Sequence, residues 1–314
     1  MLRPARSFAS REGAATKGRD ARSKIRDAAE GGSAHATSGV VASLRSLNIR
    51  PSRRLGQNFL TDPRVAERIA TLALGDGAPG PIVEIGPGLG ALTQRLAASG
   101  RPVTAVELDL RLAEHVESLL RPWPRARVVR GDILDQRLAL LAPGDDPVTI
   151  VANLPYAITS PAIGWILEQG PRARRAVLMI QREVAQRLAA KPGTKEYGSF
   201  SVYVALHGEI EVAFRVSPGA FHPRPDVDSV VFTLTPRPYP GTTAGERVAV
   251  GRLVRAATGG RRKTLANALS KGLAITANEA RALLAGAGID AGRRAETLHV
   301  DEWIRIARAE GDRA

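Results

Sequence analysis

The sequence predicts an α/β fold: a mostly parallel sheet with an antiparallel pair at its edge, followed by a small all-helical domain. Three observations carry this. Short apolar runs alternate with helix-length stretches between residues 81 and 180, which is the pattern of βαβ units. Two later apolar runs, Glu211 to Val216 and Val227 to Thr235, lie close together across a Pro-rich loop, too close for a crossover helix and suited to antiparallel pairing. Beyond Pro236–Gly241 the apolar spacing turns helical to the end.

Taken in order, Pro81–Ile85 reads as the first sheet strand and Ala91–Ser99 as the helix after it. Val103–Val106 is the second strand, Arg111–Leu120 a helix, and Ala126–Val129 the third strand. Val148–Ala152 is a largely apolar run with Thr149 within it, as expected of a parallel strand buried on both faces. Pro161–Glu168 is helical, Ala176–Ile180 is a fifth strand, and 198–207 is again helical. In the last segment, breaks are expected near Gly259, Gly272 and Gly286–Gly292. These readings divide the chain into a basic, largely disordered extension (1–50), a catalytic domain (51–240) and a helical domain (241–314).

The net charge of +14 is unevenly spread. Residues 1–54 hold twelve Lys/Arg against four Asp/Glu, residues 244–314 thirteen against eight, and the middle is close to neutral. Positive flanks around a neutral body suit a polyanionic partner. The basic run Arg261-Arg262-Lys263 is the candidate contact with nucleic-acid phosphates. There is no cysteine, and the five histidines show no ligand spacing, so no metal is expected. No run approaches the length of a membrane span. Residues 1 to about 37 lack apolar periodicity; their Arg, Ser and Ala resemble a transit peptide, but Asp20, Asp27 and Glu30 interrupt it. An upstream start codon would look the same, and a cytoplasmic protein is expected. A short amphipathic segment at Val40–Leu47 leads into the folded part.

Between the first strand and helix lies Glu84-Ile-Gly86-Pro-Gly88-Leu-Gly90. Its G-x-G-x-G spacing is neither the pyrophosphate fingerprint nor the P-loop, and it carries no basic side chain. A neutral or cationic nucleoside therefore suits it better than a phosphate-bearing one. Glu107 ends the second strand, where a carboxylate can accept both hydroxyls of a ribose. Asp132 follows the third, placed to accept from an adenine amino group. One acid at each of two neighbouring strand ends beside a glycine loop is the pattern expected for S-adenosylmethionine. The fourth strand runs into Asn153-Leu154-Pro155-Tyr156, and proline ends such a strand because it has no N–H for the ladder. The Asn153 side-chain oxygen and a carbonyl from Leu154 or Pro155 can accept the two N–H bonds of a planar exocyclic amine. Tyr156 can stack on its ring.

With these residues in place the chain resembles the KsgA family, the small-subunit rRNA adenine dimethyltransferases, from about Pro51 to its C-terminus. The matching stretches are Arg54–Leu60, Glu84–Gly90, Val106–Asp109, Gly131-Asp132, Asn153–Tyr156, Gln181–Val184, Tyr197-Gly198, Ala220–Pro225 with Val227–Ser229, and Arg261–Thr264. The resemblance implies a Rossmann-like S-adenosylmethionine-dependent methyltransferase sheet. It implies that Asn58 and Leu60 close over the cofactor, and that Gly86, Glu107 and Asp132 hold its methionine, ribose and adenine parts. Asn153 would touch both cofactor and target amine, and Tyr156 and Phe221 would clamp the target adenine. Implied too are dimethylation of two adjacent adenosines in the loop of the 3′-terminal hairpin of 16S rRNA within the 30S particle, and a monomeric enzyme. Ala157 stands where relatives often carry Asn, and Asp226 where Lys is common.

Overall fold

The computed structural model describes residues 37–52, 56–75, 77, 79–258 and 263–312, the Tyr156 side chain excepted. Expectations for residues 1–36, Arg261, Arg262 and the Tyr156 ring therefore lie outside the described residues. The amphipathic segment at Val40–Leu47 is a helix, α1 (37–46). Its Leu44, with Ile49 after it, is buried against Phe59 and Leu112. Residues 37–50, expected within the extension, thus lie on the folded body, because their apolar face finds a partner there.

A two-residue strand, β1 (Phe59–Leu60), precedes α2 (Pro63–Leu74). Sequence periodicity suggested neither. The start of α2 is fixed by Asp62, whose carboxylate accepts the Arg64 N–H at 2.9 Å, and by Pro63 in the first turn. The alternation then runs as read, apart from a short α5 that the sequence reading did not include: β2 (Ile82–Ile85), α3 (Thr93–Ala98), β3 (Val103–Glu107), α4 (Leu110–Leu119), β4 (Ala126–Arg130), α5 (Leu138–Leu141), β5 (Val148–Asn153), α6 (Thr159–Glu168) and β6 (Ala173–Gln181). Two more helices, α7 (Arg182–Leu188) and α8 (Ser199–His207), lead to β7 (Gly208–Val216), β8 (Phe221–His222) and β9 (Ser229–Pro236).

The main sheet has the order β4-β3-β2-β5-β6-β9-β7. Its first five strands are parallel, and β9 pairs antiparallel with both β6 and β7. The strand order reverses between β2 and β5, which makes the carboxyl ends of those strands the expected crevice for a ligand. One face of the sheet packs on α6 and α7 around Ile150, Ile163 and Phe232; the other packs on α2 and α3 around Ile69, Ile82 and Leu96. β1 and β8 form a separate antiparallel ribbon in which Leu60 stands opposite Phe221. That ribbon ties the segment before the first sheet strand to the loop between β7 and β9.

The C-terminal region holds α9 (Ala244–Thr258), α10 (Leu265–Leu273), α11 (Ala277–Gly286) and α12 (Val300–Gly311). Its core is built around Leu253, Leu269, Leu284 and the fully buried Trp303, with Val202 and Leu206 of α8 sharing it. The Tyr197 hydroxyl donates to the Leu298 carbonyl at 2.8 Å and joins the two regions. The break expected near Gly272 falls at the end of α10, where Ala274 takes the left-handed conformation. The reason for glycine at 272 is packing: a Cβ there would stand 2.3 Å from the Ala256 carbonyl oxygen of α9. Among the described residues no helix is long and apolar enough to cross a membrane.

Gly272→Ala must therefore push α9 and α10 apart, and is expected to destabilise the chain by about 1–3 kcal/mol. Urea unfolding of the full chain checks this, and an unchanged midpoint contradicts the close crossing.

Candidate active site

The parallel register aligns the ends of three adjacent strands. Ile85 of β2 stands opposite Val106 of β3 and Ala152 of β5. The next residue along each strand is Gly86, Glu107 or Asn153, so three residues far apart in sequence form one row across the sheet. At about 4.8 Å per strand the row is roughly 10 Å long. Gly86 closes β2 by donating its N–H to the Val106 carbonyl at 2.9 Å. Gly86, Gly88 and Gly90 take φ values of 67°, 57° and 82°, conformations that other residues rarely adopt. The turn they form reverses the chain over the row, and the Phe59 ring packs on Gly88 where a side chain would crowd it.

One cleft gathers Asn58, Leu60, Gly86, Glu107, Asn153, Leu154, Pro155 and Phe221. Its lip is the β1–β8 ribbon. Asn58, just before β1, accepts the Asn153 side-chain N–H on its carbonyl at 3.2 Å. That bond orients the Asn153 amide and leaves its oxygen to accept from a ligand. The Pro155 carbonyl already accepts the Ile158 N–H at 3.2 Å and the Thr159 hydroxyl at 3.0 Å. Of the two carbonyls open to the sequence reading, Leu154 is the one that the described hydrogen bonds leave unused. Phe221 is buried opposite Leu60 and lines the same cleft.

Glu107 is buried, and its two carboxylate oxygens accept from the backbone: Gly88 N–H at 3.1 Å and Asp109 N–H at 3.0 Å. Burial pushes its pKa up, and those backbone bonds oppose the rise. Each carboxylate oxygen keeps a second acceptor position for a ligand hydroxyl. Asp132 sits one strand further out, beyond β4. Its side chain caps the following turn by accepting the Leu134 N–H at 2.9 Å, and it does not line the cleft that the other residues share.

Glu84 heads the glycine motif, and sequence reasoning gave it no role of its own. It lies in the middle of the fully buried β2, is 1% exposed, and lines the cleft. Its Oε2 has no hydrogen-bond partner among the described residues. Burial pushes its pKa up to about 8, with Glu107 adding to the rise; the nearby Thr93 hydroxyl opposes it without a hydrogen bond of normal geometry. A charged residue inside an otherwise apolar strand is the signal that could have singled it out.

The cleft thus offers two carboxyl groups, while its described lining holds no Lys, Arg or His. That donor set fits a cationic nucleoside such as S-adenosylmethionine and repels phosphates. On the helical region, Lys263 lies in a second concavity with Arg252, Arg255 and Lys271, between α9 and α10. Arg252 also pairs with Glu310 of α12.

A family model described as ribosomal RNA adenine dimethylase matches residues 48–310. The chain belongs to the ribosomal RNA adenine dimethylase family. It is 43% identical over 270 residues to the ribosomal RNA small subunit methyltransferase A of Geobacter metallireducens, covering 85% of this chain and 98% of that one. Its identity to the protein of the same name from Moorella thermoacetica is 42% over 278 residues, covering 86% and 96%. Among solved structures it is similar to the 23S rRNA methyltransferase ErmE, with a TM-score of 0.59 and 28% identity over 80% of this chain and 99% of that one. A dimethyladenosine transferase from Plasmodium falciparum shares the fold, with a TM-score of 0.64 and 22% identity over 79% and 95% of the two chains. In this rRNA adenine dimethylase the glycine loop and the Asn153 tetrad stand at the same end of one sheet.

If Glu107 holds ligand hydroxyls, Glu107→Ala must weaken S-adenosylmethionine binding by about tenfold or more, the worth of a charge-assisted hydrogen bond. Calorimetric titration measures this, and an unchanged affinity would remove Glu107 from the site.

Proposed function

We infer that the chain transfers methyl groups from S-adenosylmethionine to N6 of adenosines in small-subunit rRNA. The observation that carries this reading is the row Gly86, Glu107, Asn153, which sets an amide acceptor beside a carboxyl-lined cleft. Two adjacent adenosines in the loop of the 3′-terminal hairpin of 16S rRNA, within the 30S particle, are the proposed targets, each dimethylated. We assign methyl transfer to residues 51–240 and the grip on rRNA to 241–314. A monomer working in the cytoplasm accords with this role, as does a part in assembling the small subunit.

When bound, the cofactor supplies an electrophilic methyl on a sulfonium sulfur. The protein's part is to aim the nucleophile. The N6 lone pair of adenine is delocalised into the ring, and accepting both N–H bonds, on the Asn153 oxygen and the Leu154 carbonyl, turns that lone pair toward the methyl. An N6 that accepted the methyl, with the C–S electron pair leaving on sulfur, would be a strongly acidic cation and would give its proton to water. No side-chain base is required, so positioning provides most of the rate. After the first methyl only one N–H remains, and either acceptor alone can hold it. Phe221 and Tyr156 are proposed to sandwich the extruded base. Extrusion costs least from a single-stranded loop. Asp132 is proposed to meet the adenine of the cofactor with the carboxylate oxygen not used by the Leu134 N–H.

The likeness to ErmE raises large-subunit rRNA as a second substrate, and one assay separates the two. Purified protein with labelled methyl donor is expected to label unmethylated 30S particles and not 50S particles; the reverse pattern would overturn the assignment. On 30S particles Asn153→Ala is expected to lower the rate by at least about 10²-fold, with the fold intact by circular dichroism. A near-wild-type rate contradicts the aiming role. Replacing Arg255, Lys263 and Lys271 together by Gln should weaken 30S binding. The slope of log affinity against log salt should flatten by about 0.7–0.9 for each phosphate that is no longer neutralised. An unaltered slope would exclude this concavity from the rRNA interface.

A further inference from the structure

The donor cleft contains a carboxyl group that the methyl-transfer scheme does not use. Glu84 is 1% exposed, lies on the strand between β3 and β5, and leaves Oε2 without a partner among the described residues. An ionised carboxylate in that position would be costly, since nothing described in the cleft compensates it. The groups around it bear this out element by element. From β3 it faces Glu107, a second acid, and from α3 only the Thr93 hydroxyl. Its register partner on β5 is Val151. The buried residues of α2, which packs on this face of the sheet, are Ala66, Ile69, Ala70 and Ala73. Two acids share one cleft, and the described lining supplies no cation.

We propose that Glu84 is the proton-exchanging group of the donor cleft: it holds a proton while the cleft lacks a cation and gives it up to solvent when the cationic methyl donor enters. The proposal rests on the reading of this cleft as the S-adenosylmethionine site. Binding is then coupled to the release of a proton, and affinity rises with pH until Glu84 is ionised in the free protein as well. The upward displacement of its pKa to about 8 agrees with this. The sign follows from linkage. Between the ordinary value of 4.5 and about 8 the folded protein holds a proton that the unfolded chain has released. The contribution of Glu84 to stability therefore falls as pH rises through that window. A bound cation offsets the loss by favouring the ionised form.

The test is calorimetric titration of the full chain with S-adenosylmethionine near pH ~6.5, in buffers of different ionisation enthalpy, to count protons released per donor bound. The donor's own ammonium is already charged at about that pH, so the wild-type protein is expected to release about one proton. Glu84→Gln should bind more weakly and release about one proton fewer, and the difference should shrink toward zero near pH ~9. Should the variant fail to fold, the wild-type count still tests the proposal, since it alone can show binding without proton release. Tight binding with no proton released overturns the proposal and leaves the donor site standing. Absence of binding at every pH overturns both. Release of a proton that persists undiminished in a folded Glu84→Gln protein assigns it to another group and also overturns the proposal.

Discussion

The structure depends on the parallel pairing of β2 with β3 on one side and β5 on the other. Parallel strands hydrogen-bonded in register end at a common level. That geometry turns three distant segments into one working edge, with Gly86, Glu107 and Asn153 side by side. The sheet also supplies the polarity of the site. A strand buried on both faces tolerates a carboxyl group only where something will meet it, and Glu84 sits where β2 opens into the cleft. With Glu107 one strand away, the pair makes a place that favours positive charge and disfavours phosphate.

The β1–β8 ribbon is the second organising feature, although it is only two residues long on each side. It fastens the Asn58–Leu60 segment to the Phe221 loop, so residues proposed for the cofactor and for the substrate share one lip. The Asn58 carbonyl reaches the Asn153 side chain across this lip. The residue proposed to aim the target amine is thus positioned by the segment proposed to close over the cofactor. The α9–α12 region stands apart from this chemistry. Its core borrows Val202 and Leu206 from α8, and its basic concavity offers phosphate contacts that carry no base choice of their own.

Much of this was legible in the sequence, for physical reasons. Largely apolar runs such as Val148–Ala152 mark buried parallel strands, and Pro155 marks where one ends. The glycine spacing at 86–90 and the acid closing β3 then point to the same crevice. What periodicity could not show depends on contacts distant in sequence. β1 and β8 are too short to have a period, and they exist only because each finds the other. Helix α2 starts at Asp62-Pro63, a capping signal that an apolar-run reading passes over. Gly272 marks a helix end because glycine has poor helix propensity, but that it also lets α10 approach α9 shows only in the packed helices. Glu84 was in plain view within its motif, yet its meaning comes from burial, which only the assembled sheet reveals. The Asp132 side chain caps a turn by accepting the Leu134 N–H, a local contact that its place at a strand end does not reveal.

The ends of β2, β3 and β5 are read as a nucleoside site selective for a cation. Equilibrium titration of the full chain with S-adenosylmethionine and, in parallel, with adenosine diphosphate tests this most directly, since both ligands carry the same adenosine. A carboxyl-lined cleft predicts saturable binding of the sulfonium compound and none of the diphosphate over the same concentrations. Comparable affinity for the two would contradict it.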